Sequence, residues 1–269
     1  MTRLEWATVP GPRHELAEEP TFDPAGDRIV WVDVPRGEIW SRPAGDDAAS
    51  ATLLHRLDPP ISAARPVGEG VLVASRMDLL VLGNDGGKTM LATIPRDPLR
   101  WQVNGLVVRP DGSVLAGLLS RDRSEIGELV LVEAGETTRV VADVQAANGL
   151  CLDPASGDVW QVDTYARTLT RYTADTFDGT LVTRFDGLPG RPDGACVTDD
   201  GDLWVAMWDG AAVVRIDAGC TVLDVLQTPV SRPTCPLFVG NRLYVTTAAS
   251  PSRSSLDGRL IHSALDPQQ

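Results

Sequence analysis

Asp199-Asp-Gly-Asp-Leu-Trp-Val-Ala-Met207 sets a tight-turn signal directly before a short apolar run, and the same arrangement recurs along the chain. It returns as Asp23-Pro-Ala-Gly-Asp-Arg-Ile-Val-Trp31, Gly68-Glu-Gly-Val-Leu-Val73 and Arg109-Pro-Asp-Gly-Ser-Val-Leu115. Two further copies are Asp153-Pro-Ala-Ser-Gly-Asp-Val-Trp160 and Val239-Gly-Asn-Arg-Leu-Tyr244. With Gly26, Glu69, Gly112, Gly157, Gly201 and Asn241 as equivalent turn positions, the period is about 43 residues, inside the range of propeller blades. Asp, Asn and Gly at the turns suit β-hairpins, and the flanking runs are short and apolar, with no sustained helical period. Six such repeats predict an all-β chain folded as a six-bladed β-propeller of four-stranded antiparallel blades, a single domain over 1–269. A ring of blades must close, and the stretch Arg3-Leu-Glu-Trp-Ala-Thr-Val9 is expected to pair beside Gly258-Arg-Leu-Ile-His262.

Working outward from the repeat, the formal charge of -13 sets up a negative field that repels phosphate backbones and anionic lipid, so neither nucleic acid nor membrane is an expected partner. Met1-Thr2-Arg3-Leu4-Glu5-Trp6 lacks a basic segment followed by an apolar one, and a cytoplasmic location is expected. Cys151, Cys196, Cys220 and Cys235 show no CxxC spacing and no neighbouring histidines; buried free thiols are expected, with the three on inner strands as core filler. His14, His55 and His262 read as surface or packing residues, and no Gly-x-Ser-x-Gly nucleophile elbow is present.

Equivalent positions in successive blades lie on a circle about the propeller axis. Counting back about eight residues from each turn, within a repeat of the propeller period, reaches Glu18, Ile61, Asn104, Asn148 at a step of nine, Asp193 and Pro233. Four of these six carry side-chain oxygen. Such a set suits a hard divalent cation, Ca²⁺ before Zn²⁺, Mn²⁺ or Mg²⁺, while no histidine sits at this offset. Asn148-Gly149 and Asp193-Gly194 also have the chemistry of turn dipeptides, but the shared offset favours the site reading. Trp31, Trp160 and Trp204 recur at related positions and are expected to be structural. Trp101 and Trp208 are the tryptophans expected to line the mouth. Arg121-Asp-Arg-Ser-Glu-Ile126 reads as a solvated loop.

These segments resemble the senescence marker protein, gluconolactonase and luciferin-regenerating enzyme family over nearly the whole chain. The opening pattern appears as Glu18-Glu-Pro-Thr-Phe-Asp23 with Trp31-Val-Asp33, and the central one as Asn148-Gly-Leu150 with Val162-Asp-Thr164. Pro192-Asp-Gly194, Gly201-Asp-Leu-Trp-Val-Ala-Met-Trp208, Gly210 through Val214-Arg-Ile-Asp217, Pro233-Thr-Cys235 and Leu243-Tyr-Val-Thr-Thr-Ala248 are similar as well. The resemblance implies a metal held by Glu18, Asn148 and Asp193, with Asn104 beside it as a further ligand or substrate contact. Two departures bear on substrate. The family's sugar lactonases show Arg-x-Asn-Asp where this chain has Gln102-Val103-Asn104-Gly105, and the family's glycine after the first glutamate is here Glu19. Arg100 is the nearest cation able to replace the lost arginine.

The implied activity is hydrolysis of a lactone or related ester, with a small molecule as partner, the ion polarising the carbonyl and Asp193 as base. Asn104, Gln102, Trp101 and Trp208 are the expected substrate contacts. Condensation or rearrangement chemistry on the same scaffold, or metal and ligand binding without catalysis, are the alternatives, because a fold does not fix a function.

Overall fold

The structure, a computed structural model, describes residues 4–46, 48–68, 70–251 and 254–265, so the turn anchor Glu69 and Arg3 lie outside the described residues. Six four-stranded antiparallel sheets make up the fold. The inner strands of the first five are Ala17–Asp23, Ile61–Val67, Trp101–Val108, Ala147–Leu152 and Arg191–Val197; the sixth begins with Pro233–Val239. Each inner strand packs against the next, and the sixth packs against the first, which closes the ring. Apart from one 3-10 turn, Val34–Arg36, no helix is present among the described residues. None is therefore long and apolar enough to cross a membrane.

Closure follows the expected route. Ala7–Thr8 forms the outermost strand of the last blade, with Ala7 opposite His262 and Thr8 opposite Ile261. The first blade therefore begins at Ala17, and residues from both chain ends share the sixth sheet.

Six hydrophobic clusters hold the ring, each lying between two neighbouring blades. One joins Ala63, Leu72 and Leu79 of the second blade to Val103, Leu106 and Leu118 of the third. Another joins Ile29 and Trp31 of the first to Tyr244 and Leu260 of the sixth. Because blades pack face to face, their second strands are covered on both sides, and Leu203–Trp208 is buried through Met207. This explains the continuous apolar runs that follow the turns.

Trp31, Trp160 and Trp204 are buried, as the repeat implied. In the fourth and fifth blades an arginine on the third strand lies over the indole, Arg171 at 5.3 Å from Trp160 and Arg215 at 5.4 Å from Trp204. The same arginines pair with Asp158 and Asp202 at the preceding turns. His14 packs inside: its Nε2 accepts the Trp31 indole N–H at 3.1 Å, and its Nδ1 faces Asp33 at 3.3 Å.

Candidate metal and substrate site

Every inner strand shifts its pairing register at the same level. The shifts fall between Glu18 and Thr21, Ile61 and Ala63, Val103 and Gly105, Asn148 and Cys151, Pro192 and Ala195, and Pro233 and Cys235. A bulge frees a residue from the ladder and re-aims its side chain. Asn104 and Asp193 fall inside such shifts, while Glu18 and Asn148 are the last paired residues before them. Asn148-Gly149 and Asp193-Gly194 thus belong to inner strands and not to hairpin turns.

The glycines are required by close approach of the neighbouring strand. A Cβ on Gly194 would stand 2.4 Å from Cβ of Cys235, and one on Gly149 would stand 2.8 Å from the carbonyl oxygen of Asp193, at a φ of +49° that itself favours glycine. The strand entries are also pinned. Asp33 accepts the backbone N–H groups of Glu15 and Leu16, and Asp163 accepts those of Gln145 and Ala146. These are the aspartates of the two Val-Asp motifs, and each fixes the approach to Glu18 or Asn148.

Glu18, Asn104, Asn148 and Asp193 line one cleft of about 370 Å³, together with Arg123, Thr164, Tyr165, Arg191, Trp208, Asp209 and Arg232. Gln102 and Trp208 line an adjoining cleft of about 730 Å³ with Arg121 and Arg232. Trp101 lies elsewhere: at 7% exposure it packs with Val103 and Leu118 between the second and third blades. Arg100 pairs with Glu125 and lines neither cleft, so it does not replace the missing arginine. Arg121 and Arg123, although exposed, belong to the cleft walls, so their loop is more than a solvated excursion.

At the floor, Asn148 donates from Nδ2 to Asp193 Oδ1, and also to Thr164 Oγ1 at 3.3 Å. Asp193 Oδ2 is buried with no hydrogen-bond partner. Asn104 donates to the Ala147 carbonyl at 2.9 Å, which turns its Oδ1 the other way. Burial pushes the Asp193 carboxyl up to about 8, and Glu19 adds to the rise. Burial likewise holds Glu18 well above the usual carboxylate range, with Asp193 and Glu19 contributing repulsion.

Two neighbouring carboxyls, Asp193 buried with an orphaned oxygen and Glu18 half-buried, have the electrostatics of a site suited to a cation. Among the described residues no three His, Cys, Asp or Glu side chains are grouped to hold an ion, so any ion held here would need amide oxygen among its donors. Turning over the Asn148 amide would present Oδ1 where Nδ2 now faces Asp193, the arrangement that a cation between them requires.

Glu19 lies next to this floor with φ +52°, a left-handed conformation that glycine adopts most easily. Its carboxylate pairs with Arg65, whose Nη1 also reaches the Glu19 carbonyl at 3.2 Å. A Cβ on Gly105 would stand 3.0 Å from Glu19 Oε1. The glutamate at 19 and the glycine at 105 therefore fit one another, and the two sequence departures meet at one place.

Cys151, Cys196 and Cys235 line another cleft with Glu19 and Arg65, of about 540 Å³, and Cys151 and Cys196 also pack against apolar clusters. All four cysteines are free.

The fold and these groups define a six-bladed propeller with a cleft of oxygen donors from four blades at its centre. The chain belongs to the SMP-30/gluconolactonase/LRE-like family, whose pattern matches residues 16–249. It is 32% identical to 6-deoxy-6-sulfogluconolactonase of Pseudomonas putida over 87% of this chain and 83% of that one. It is 30% identical to a pentonolactonase of Haloferax volcanii over 89% of this chain and 84% of that one. Among solved structures it superposes on a calcium-binding regucalcin of Agrobacterium tumefaciens with a TM-score of 0.85 at 25% identity, covering 96% and 95% of the two chains.

Proposed function

We propose that the chain is a divalent-metal-dependent hydrolase of a lactone or related carboxylic ester. The observation that carries this reading is Asp193, buried, with one unpartnered carboxylate oxygen, beside the half-buried carboxyl of Glu18, whose pKa is also raised. The lactonase names of two relatives support the reaction class.

Glu18, Asn148 and Asp193 would hold the ion, and oxygen-only donors make Ca²⁺ the first choice. When bound, such an ion supplies Lewis-acid polarisation of the carbonyl and lowers the pKa of a water. Asp193, through its free Oδ2, takes the proton from the attacking water. Asn104 and, from the adjoining wall, Gln102 hydrogen-bond the substrate or its developing oxyanion, while Trp208 offers an apolar face to the ring.

Acid release from sugar and aliphatic lactones, measured on chelator-stripped protein with and without Ca²⁺, Mn²⁺, Mg²⁺ or Zn²⁺, tests the proposal. Metal-dependent release is expected, and Asp193→Ala should lower kcat on the order of 10²–10⁴-fold. Turnover by Asp193→Ala at the wild-type rate would remove Asp193 from this role. Likeness to a calcium-binding regucalcin favours a second reading, a binding protein without catalysis. That reading expects Ca²⁺ binding with no acid release from any lactone.

A further inference from the structure

We infer that the substrate carries an anionic substituent, a carboxylate, phosphate or sulfonate, remote from the carbonyl that is attacked. This inference rests on the hydrolase reading above and names the substrate class of the same site.

The chain as a whole is strongly acidic, with a formal charge of -13, yet the wall above the carboxyl floor is cationic. Arg123, Arg191 and Arg232 line the cleft that contains Glu18 and Asp193. The adjoining cleft, which shares Leu16, Trp208 and Arg232 with it, adds Arg121 and one carboxylate, Glu15, so that four guanidinium groups stand over Asp209 and Glu15 across the two clefts. Against the three guanidinium groups of the first cleft stands the carboxylate of Asp209, once the floor carboxyls are matched by a divalent ion. Asp209 is shared, with Oδ2 at 3.2 Å from Arg191 and Oδ1 at 2.7 Å from Arg232. Arg121 and Arg123 have no ion pair among the described residues, and Arg123 lies 4.6 Å from the ring centre of Tyr165.

The cations come from separate elements. Arg121 and Arg123 follow the second strand of the third blade, Arg191 opens the fifth inner strand and Arg232 precedes the sixth. Their convergence is a property of the folded ring and not of one basic run. Arg191 and Arg232 keep 41% and 26% of their side chains accessible; Arg191 also acts on Asp193 through space, and Arg232 Nη1 donates to the Ala249 carbonyl at 3.3 Å. Stacking on Tyr165 and on Trp208, whose ring centre lies 4.9 Å from Arg232, holds the guanidinium planes in place. Planar, pre-oriented guanidinium forks are suited to the oxygens of carboxylates, phosphates and sulfonates. A neutral polyol would leave this positive wall unmatched.

The test compares kcat/KM for a neutral sugar lactone with that for three partners of the same ring bearing a terminal carboxylate, phosphate or sulfonate, at low and high salt. At least one anionic partner should exceed the neutral lactone tenfold or more, the advantage should shrink with salt, and Arg123→Gln and Arg232→Gln should each cut it about fivefold. Which of the three is preferred identifies the anion. Equal or better turnover of the neutral lactone against all three overturns the inference and leaves the hydrolase reading intact. If no lactone is hydrolysed, the hydrolase reading fails, and calorimetric titration of metal-loaded protein with a hexose and its terminal sulfate ester decides the matter. Tenfold tighter binding of the sulfate ester, lost in Arg123→Gln and Arg232→Gln, upholds the inference, whereas equal binding or none overturns it.

Discussion

Replacing Arg65 by methionine removes the counter-charge of a carboxylate that is almost wholly buried. Glu19 is 3% exposed, and in the pair with Arg65 the side chains retain 15% and 4% of their surface. Methionine keeps most of the arginine stem, so the change isolates the charge from the packing. Breaking a buried ion pair from one side costs about 3–5 kcal/mol, because the partner is left charged and desolvated. The carboxyl can escape by taking up a proton. From an ordinary pKa of 4.5, that escape at pH 7 costs about 3.4 kcal/mol, at 1.36 kcal/mol for each unit of separation. The loss should therefore be about 3 kcal/mol at pH 7 and well under about 1 kcal/mol at pH 5, where protonation is nearly free. Urea unfolding of chelator-stripped Arg65→Met against wild type at the two pH values reads both figures, and Glu19→Gln in the same background should restore most of the loss. A loss below about 1 kcal/mol at pH 7, or the same loss at pH 5, would refute the reasoning.

Three further outcomes are expected. Asp193 is pushed up to about 8 by burial, so the folded, metal-free protein holds its proton above the unfolded pKa. The stability contributed by that protonated carboxyl is complete below about pH 4 and is lost as pH rises towards 8, so the stability of wild type relative to Asp193→Asn should fall across that window; a rise would contradict the burial of Asp193. Gly194→Ala forces a methyl to within 2.6 Å of the Cys235 sulfur and should cost about 1–3 kcal/mol, with metal affinity falling as Asp193 moves; unchanged metal affinity would show that the strand contact does not position Asp193. Burial pushes the Cys196 thiol up to about 12 and raises Cys151 and Cys235 as well, so although Cys151 and Cys196 are partly exposed on a cleft wall, all three should react with a disulfide reagent at pH 8 far more slowly than a free thiol, and modification at a free thiol's rate would contradict the raised values.

The fold was legible because a turn and a buried strand repeat together, and both signals survive variation in the outer strands. The floor of the site was legible for the same reason: Glu18, Asn104, Asn148 and Asp193 lie at one level of the ring, so counting from the turns reaches them. Alternation along Trp101–Val108 could have placed Trp101, since Trp101 and Val103 face the core while Gln102 and Asn104 face the other way. The cationic wall carried no comparable signal. Arg123 and Tyr165 follow second strands, while Arg191 and Arg232 stand at the entries to inner strands, so their meeting depends on loop paths that no shared offset records. The register shifts were equally hidden, because a bulge changes pairing without changing hydrophobic pattern.

The contact between Glu19 and Gly105 constrains the routes by which this cleft can change. Restoring an aspartate at 105 while Glu19 remains would set its Cβ 3.0 Å from a carboxylate oxygen and bring two acidic side chains together. Two single-substitution routes connect the arrangements: one passes through glycine at both positions, where Arg65 has lost its acidic partner, and the other through Glu19 beside an acidic residue at 105, where the Glu19 carboxylate must shift and meets a like charge. Positions 19, 65 and 105 are therefore linked, and grafting the missing aspartate onto this scaffold as one change would press on the Glu19 carboxylate and set two like charges side by side.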